Sequence, residues 1–144
     1  MNKQHPPTTF GVFKPVGHTL IALRTPQELE AAQVKLVALG FASSSMVHYT
    51  AAEMLAQVDA ELLTASPLAT FGYELDLVRV HGDLARQGCS FLVVEAPTDA
   101  LAQQVAELVS ALHPASAQHY GRFLIKDLTE KPPGRMGDQG GPPV

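Results

Sequence analysis

The sequence has few of the residues that mark specialised classes of protein. It contains one cysteine and no tryptophan in 144 residues, and charged residues make up 17% of the chain. A single cysteine, Cys89, cannot form an internal disulfide, and structural zinc sites usually need several cysteine or histidine ligands at close spacing. We therefore predict a protein of the reducing cytoplasm that uses no cofactor, with Cys89 buried as a small hydrophobic residue.

Basic clusters and long apolar segments are missing from the sequence as well. Ten lysine and arginine residues stand against 14 acidic residues, which gives a formal net charge of −4. A nucleic-acid-binding protein normally carries a basic face. No apolar run approaches the ~20 residues that span a bilayer, and residues 1–7 are not followed by the apolar core of a signal peptide. These features predict that neither nucleic acid nor a membrane is a partner.

Proline and glycine divide the chain into three parts. Residues 1–16 contain three prolines and little periodicity, which predicts an extended N-terminal arm. Residues 131–144 are so rich in proline and glycine that neither a helix nor a strand ladder fits them, which predicts a disordered tail. Residues 17–130 predict one α+β domain, because a chain of this length forms a single hydrophobic core.

Capping signals and apolar periodicity place the elements of this domain. Thr25 with Glu28, and Thr50 with Glu53, each have the spacing of a capping box at the start of a helix, and Gly40 is typical of a helix end. The predicted strands are residues 20–23, 46–50, 89–96 and 118–128, and the predicted helices begin after Thr25, after Thr50, at about Tyr73 and after Pro97.

The domain contains an internal repeat. Residues 20–49 align without a gap with residues 91–120, and the alignment pairs strand with strand and one His-Tyr dipeptide with another. We interpret the two segments as copies of one strand–helix–strand unit. The seven identities among thirty positions are Pro26/Pro97, Ala31/Ala102, Gln33/Gln104, Val34/Val105, Ser45/Ser116, His48/His119 and Tyr49/Tyr120.

Two such units predict a ferredoxin-like fold of the α+β class. A right-handed βαβ crossover leaves room for one strand, so two interleaved units form a four-stranded antiparallel sheet with both helices on one face. The first strand of each unit then lies in the centre of the sheet, and the two His-Tyr strands lie at opposite edges. Residues 51–87 form a helical insertion of two segments between the halves. The insertion must cover either the open face of the sheet or a partner chain.

The open face also bears on the oligomeric state. An uncovered apolar sheet face commonly pairs in a symmetric dimer, which predicts a homodimer. If the insertion covers that face, a monomer is equally consistent with the sequence.

Residues 18–50 carry a pattern made of a short strand, a helix rich in small residues, Ala38-Leu39-Gly40-Phe41, a polar turn and the strand at residues 46–50. This pattern resembles the bacterial general stress protein 17M-like domain. The rest of the chain, with His-Tyr-Gly-Arg at residues 119–122, looks like short proteobacterial proteins without an assigned activity. The resemblance implies a stress-associated, non-catalytic cytoplasmic protein, and it transfers no catalytic or binding residue.

The histidines of the two His-Tyr dipeptides are the first candidates for a site, because histidine is the usual ligand or acid–base near neutral pH. At opposite sheet edges, His48 and His119 would be too far apart to bind one metal within a monomer, whereas a dimer joined at its edges would bring them together. The alternative is that Tyr49 and Tyr120 pack inward while the imidazoles face water. His81, spaced with Leu77 on a helix, is predicted to be a core histidine with one hydrogen-bond partner.

A second candidate is an anion or small-molecule site formed by convergence of an arginine with aromatic residues. Gly121 beside Arg122 would permit the close approach of a ligand. The alternative is that these polar residues keep an edge strand soluble. The candidate ligand-binding residues are therefore His48, Tyr49, His119, Tyr120, Arg122 and Tyr73, with the ligand unidentified.

Catalytic motifs are missing: the sequence has no nucleophile elbow, no phosphate-binding glycine loop and no zinc-protease helix. The leading hypothesis is a non-enzymatic cytoplasmic domain, related to stress or regulation, that acts through self-association or partner binding. The alternative is a small-ligand or metal-binding protein that uses the His-Tyr strands. A third hypothesis is a small enzyme of the dimeric α+β-barrel type, which would need a cavity between the sheet and its cover.

Overall fold

The computed structural model of the chain describes residue 3 and residues 8–9, 12–13, 15–64, 73–121 and 125–129. The predicted tail at residues 131–144 lies outside the described residues. The elements, in chain order, are β1 (Thr8–Thr9), β2 (Val12–Phe13), β3 (His18–Leu23), α1 (Pro26–Ala38), a 3-10 turn (Ser43–Ser45), β4 (Met46–Tyr49), α2 (Ala51–Thr64), α3 (Tyr73–Arg86), β5 (Ser90–Glu95), α4 (Asp99–Leu112), β6 (Ser116–Tyr120) and β7 (Ile125–Asp127).

The chain forms an α+β fold around a five-stranded antiparallel sheet with the strand order β4-β5-β3-β6-β7. The two strands predicted to be central, β3 and β5, lie in the middle and pair with each other, with Ile21 opposite Leu92. Within the region of the predicted N-terminal arm, β1 and β2 pair as a separate two-stranded ribbon.

The prediction of four strands was wrong, because the last predicted strand is two strands. Residues 118–128 were expected to run as one strand, but β6 ends at Tyr120 and β7 folds back on it, with Tyr120 opposite Ile125. Gly121 directly follows β6, and a glycine within an alternating pattern often marks a break in the strand. As a result β6 lies inside the sheet, and the edge positions belong to β4 and β7.

Helices cover both faces of the sheet, because successive residues of a strand point to opposite sides. On one side, Ile21 and Leu92 pack with residues of α1 and α4, among them Leu36 and Val105. On the other side, Leu20 and Phe91 pack with residues of α2 and α3, which are Met54, Val58, Leu77, Val78 and Ala85. The inserted helices therefore cover the second face of the sheet. An open apolar face consequently gives no argument for a dimer in this fold.

The helix ends follow the predicted capping chemistry. The Thr50 side chain accepts a hydrogen bond from the Glu53 amide at 3.1 Å, and the Glu53 carboxylate accepts one from the Thr50 amide at 2.9 Å. This reciprocal pair is a complete capping box. At α1, Thr25 accepts from the Glu28 amide, but the Glu28 carboxylate accepts from the amide of Arg24, one residue earlier than a capping box requires. Within the described residues, no helix is long and apolar enough to cross a membrane.

Candidate functional site

The four candidate residues whose side chains the structure describes, His48, Tyr49, His119 and Tyr120, do not form one site. His48 and His119 lie on the face of the sheet that carries α1 and α4, whereas Tyr49 and Tyr120, each the next residue of its strand, point to the α2–α3 face. Both tyrosines are buried, at 2% and 1% exposure. This arrangement agrees with the interpretation in which the tyrosine rings pack inward.

The two candidate histidines are also far from each other. β4 and β6 are separated by β5 and β3, so His48 and His119 are at least three strand spacings apart, about 14 Å. Among the residues that the structure describes, no group of three or more histidine, cysteine or acidic side chains is arranged to hold a metal ion. The predicted convergence of Tyr73 and Arg122 on His119 stays a prediction, because Arg122 and the side chain of Tyr73 lie outside the described part of the chain.

His119 lines a cleft of about 240 Å³ between α4 and the β6–β7 hairpin. The hairpin places Lys126 directly opposite His119, so both side chains lie on the same face. Asp99, in the first turn of α4, and Gln103, one turn later, lie across from them. Ala102, Ala106 and Leu128 complete the lining of this cleft, which is named here the His119 cleft.

The orientation of the His119 ring is fixed by a buried hydroxyl. Oγ1 of Thr19, on the adjacent strand β3, lies 2.8 Å from Nδ1 of His119. Thr19 is fully buried and lies opposite His119 in the sheet register. A hydrogen bond to one ring nitrogen defines which nitrogen is left for other partners. Nε2 of His119 is therefore the nitrogen available to a ligand in the cleft.

Burial, more than the neighbouring charges, sets the titration of His119. Loss of solvent lowers the pKa of His119 below its usual value, while the nearby Asp99 carboxylate raises it and electrostatic interactions with His18 and Lys126 lower it. His119 is therefore neutral at pH 7 and offers one donor or one acceptor rather than a charge.

The charged residues of the His119 cleft do not neutralise each other. Lys126 and Asp99 line the same cleft, yet neither belongs to an ion pair among the described residues. Gln103 donates to Glu107 at 3.3 Å, so its amide is already turned along the helix. The cleft therefore presents one cation and one anion, both exposed, together with a neutral imidazole.

His48 differs from His119 because the strand registers of the two halves differ. When the alignment is extended by one position before its start, Ser90 becomes the counterpart of Thr19, so an exact repeat would place Ser90 opposite His48. The observed register places Leu92 there instead. Leucine has no hydrogen-bonding group, and Nε2 of His48 is buried without a hydrogen-bond partner among the described residues. His48 therefore lacks the second group that orients His119.

The predictions that His81 and Cys89 are buried are confirmed. His81 on α3 is 2% exposed, and its Nε2 lies 3.2 Å from Oε1 of Gln118. Burial lowers the pKa of His81 to about 4, although the Gln118 hydrogen bond acts in the opposite direction. Cys89 is buried directly before β5, and burial raises the pKa of its thiol. Neither side chain has the accessibility that a ligand-binding group needs.

Tyr49 lies beneath the first turns of α2 and close to two carboxylates. Burial raises the pKa of Tyr49 to about 12, with further contributions from the negative charges of Glu61 and Glu53. Lys3 pairs with Glu53 at 2.9 Å, and its ammonium group lies 5.4 Å from the centre of the Tyr49 ring. Tyr49 is therefore a buried aromatic residue under a salt bridge rather than part of the His119 cleft.

Sequence reasoning found His119 but missed the residues around it. Asp99 lies at the helix start predicted after Pro97, and Lys126 lies within the strand predicted at residues 118–128, but neither was named as a candidate. Thr19 precedes the apolar run at residues 20–23 and shows no local signal of a partner. The chain matches no protein-family model, and comparisons with curated proteins and with solved structures return no similar protein.

Proposed function

We propose that this protein binds a small zwitterionic molecule in the His119 cleft without transforming it. The observation that supports this function is the pairing, in one cleft, of an exposed lysine and an exposed aspartate that are not ion-paired with each other. A ligand with a carboxylate and an ammonium group satisfies both charges at once. Free amino acids are the simplest ligands of this class.

Each polar group of the cleft has a role in such binding. The Lys126 ammonium attracts the ligand carboxylate, and the Asp99 carboxylate attracts the ligand ammonium group. Neutral His119, held by Thr19, offers Nε2 for one further hydrogen bond. The carbon atoms of the ligand would pack against the apolar surface of Ala102, Ala106 and Leu128. The volume of about 240 Å³ limits the ligand to a small molecule.

The burial of Thr19 favours binding over turnover. A hydroxyl 2.8 Å from a histidine nitrogen has the spacing of a nucleophile and its general base. Thr19, however, is fully buried behind the imidazole, so its oxygen does not reach a substrate in the cleft. The hydroxyl orients the ring.

The experiment that tests this proposal is a titration of ¹⁵N-labelled protein with free amino acids, followed by amide chemical shifts. Acetate and methylammonium serve as ligands that carry only one of the two charges. Lys126→Gln and Asp99→Asn should each weaken binding of the zwitterion about tenfold or more, since each removes a charge-assisted hydrogen bond.

Lys35→Gln is the matched control for these variants, because Lys35 is an exposed lysine on α1 that does not line the cleft. Its affinity should equal that of the wild type. Binding of acetate as tight as that of the zwitterion, or unchanged affinity in Asp99→Asn, would contradict a zwitterionic ligand.

A second proposal, self-association of a non-enzymatic domain related to stress or regulation, is favoured by one exposed helix face. On α1, Val34 is 65% exposed and Val37 is 51% exposed, and both line a groove with Met46 of the edge strand β4. An edge strand beside apolar side chains favours pairing with another chain. Sedimentation should show a dimer that Val34→Glu dissociates and that Val80→Glu, an exposed valine on α3, leaves intact. A monomeric wild type would reject this proposal.

The ferredoxin-like interpretation of the fold is also supported by the strand order. Two interleaved strand–helix–strand units would give the order β4-β5-β3-β6, which four of the five strands follow. In this interpretation β7 is an added edge strand, and α2 and α3 are an added layer. The register of β4 on β5, with His48 opposite Leu92 rather than Ser90, means that the two units are not copies at every residue.

A further inference from the structure

A second and larger cleft lies at the C-terminal end of α4. Its volume is about 580 Å³, and its polar residues are Arg24, Ser110, His113 and Thr129. Three separate parts of the chain contribute to it: the residue after β3, the last turn of α4 with its cap, and the residues after β7. Leu128 lines both this cleft and the His119 cleft, so the two are neighbours.

The guanidinium group of Arg24 is held in place within this cleft. Nη1 of Arg24 donates a hydrogen bond of 2.9 Å to the backbone carbonyl of His113. His113 is the C-cap of α4 and has a left-handed backbone with φ of 52°, so its carbonyl leaves the helix direction and reaches Arg24. A guanidinium has five N–H donors, and this bond uses one of them. The remaining donors keep the planar fork that matches a carboxylate or a phosphate.

The positive charge of Arg24 is not neutralised by a carboxylate among the described residues. Two acidic side chains close in sequence to residues of this cleft, Glu28 and Asp127, have hydrogen-bond partners other than the Arg24 guanidinium. Glu28 accepts a hydrogen bond from the backbone amide of Arg24, and no ion pair joins the two side chains. Asp127 accepts from both the amide and the hydroxyl of Thr129. An exposed and oriented arginine without an acidic partner attracts an anion from solution.

Part of the cleft wall is apolar. Val109, Pro114 and Leu128 contribute to it, of which Val109 and Pro114 are buried and Leu128 is partly exposed. A free inorganic anion would leave this wall unused, whereas an organic anion would place its carbon skeleton there. The volume lies in the range of typical pockets for organic ligands, which is about 300 to 1,000 Å³.

We propose that this second cleft, named the Arg24 cleft, binds an organic anion, with a carboxylate or phosphate group on the Arg24 guanidinium and an apolar body against the partly exposed Leu128. The hydroxyl of Ser110 and the imidazole of His113 lie beside the anionic group as additional hydrogen-bonding partners. This site is independent of the zwitterion proposed for the His119 cleft, since it uses other polar residues and another charge pattern.

Two probes of similar shape test the proposal: benzoate carries a carboxylate and phenyl phosphate carries a phosphate on the same ring. Each is titrated into ¹⁵N-labelled wild-type protein. We expect at least one of them to bind with a dissociation constant of about 1 mM or tighter and to shift the amides of Ser110, His113 and Thr129. The tighter probe identifies the anionic group. If neither probe saturates, or if the shifts map elsewhere, the proposal is overturned.

Arg24→Gln should weaken binding of the tighter probe about tenfold or more, because it removes both the positive charge and the planar set of guanidinium N–H donors. Arg79→Gln is the matched control, since Arg79 is an exposed arginine on α3, in the layer on the other side of the sheet. Equal affinity in Arg24→Gln and in the control would overturn the assignment. Arg24→Lys, which keeps the charge and loses the planar fork, should bind with intermediate affinity. The wild-type shift map stays decisive even if the Arg24 variants unfold.

Discussion

His119 and Thr19 lie opposite each other on neighbouring strands, with Nδ1 of the imidazole 2.8 Å from the threonine hydroxyl. His48, the counterpart of His119 in the alignment, has Leu92 opposite it, and its Nε2 is buried without a hydrogen-bond partner among the described residues. Two histidines with the same tyrosine neighbour therefore have different chemistry. The difference comes from the strand register, which places the hydroxyl of Thr19 opposite His119 and the apolar side chain of Leu92 opposite His48.

Removal of the Thr19 hydroxyl should free the His119 ring. Thr19→Val keeps the shape of the side chain and leaves Nδ1 of His119 without its partner, so we expect the free energy of unfolding to fall by about 1 to 2 kcal/mol. Urea denaturation measures this change, and imidazole ¹⁵N shifts report the loss of a preferred tautomer. Thr19→Ser is the control: it keeps the hydroxyl, so the tautomer should stay as in the wild type. A tautomer unchanged in Thr19→Val would show that the hydroxyl does not orient the ring.

Stability should decrease in mildly acidic solution because of His81. Its pKa is about 4 in the folded protein against about 6.5 when exposed, so below pH 6.5 the unfolded chain binds a proton that the folded protein does not. The contribution of neutral, buried His81 to the free energy of unfolding is fully present above pH 6.5 and is lost as the pH falls toward 4. The loss amounts to about 3 kcal/mol.

The measurement for His81 is urea denaturation at a series of pH values between 7 and 4 for the wild type and for His81→Gln. Glutamine does not titrate, so the stability difference between the two proteins should shrink as the pH falls. A constant difference over this range would mean that His81 does not contribute to the pH dependence.

Tyr49 should titrate later than an exposed tyrosine. Its pKa of about 12 means that the folded protein keeps the phenol proton while an unfolded chain loses it near pH 10, so stability from this group decreases as the pH rises from about 10 to 12. The absorbance of tyrosinate against pH measures this. Tyr49→Phe should remove only the titration step near pH 12. If that step persists in Tyr49→Phe, it belongs to another tyrosine.

The capping box at the start of α2 should make a local contribution to stability. Thr50→Ala removes the side chain that accepts from the Glu53 amide, and loss of such a cap costs about 1 kcal/mol. Thermal or urea unfolding measures the change. Ser44→Ala, an exposed serine in the 3-10 turn, is the control and should leave stability nearly unchanged. An equal effect of the two substitutions would show that the cap is not responsible.

The helices and the central strands were predictable from the sequence because their signals are local. Thr50 and Glu53 satisfy each other's backbone groups within one helical turn, so the four residues 50–53 contain the whole interaction. The apolar runs of β3 and β5 indicate strands buried on both faces, and both lie in the centre of the sheet. The burial of His81 followed from its spacing on an apolar helix face.

The hairpin of β6 and β7 shows where this local reasoning failed. Residues 118–128 were predicted as one strand from the apolar residues Tyr120, Phe123 and Ile125, although the step of three residues from Tyr120 to Phe123 does not fit period-two alternation. β7 pairs antiparallel with β6, and this pairing places Lys126 across from His119. The candidate residues were therefore only partly identified from the sequence, since the cation beside His119 depends on that pairing.

The sequence by itself determined the class of fold, the positions of the four helices and the choice of His119 as a candidate, because propensity, capping and periodicity act over a few residues. The tertiary structure alone decided which side chains meet. Thr19 reaches His119 from 100 positions earlier in the chain, and Arg24 reaches the carbonyl of His113 from 89 positions earlier. Such pairs depend on strand register and on how the layers pack, and these are set by the burial of the whole core rather than by the residues that come into contact.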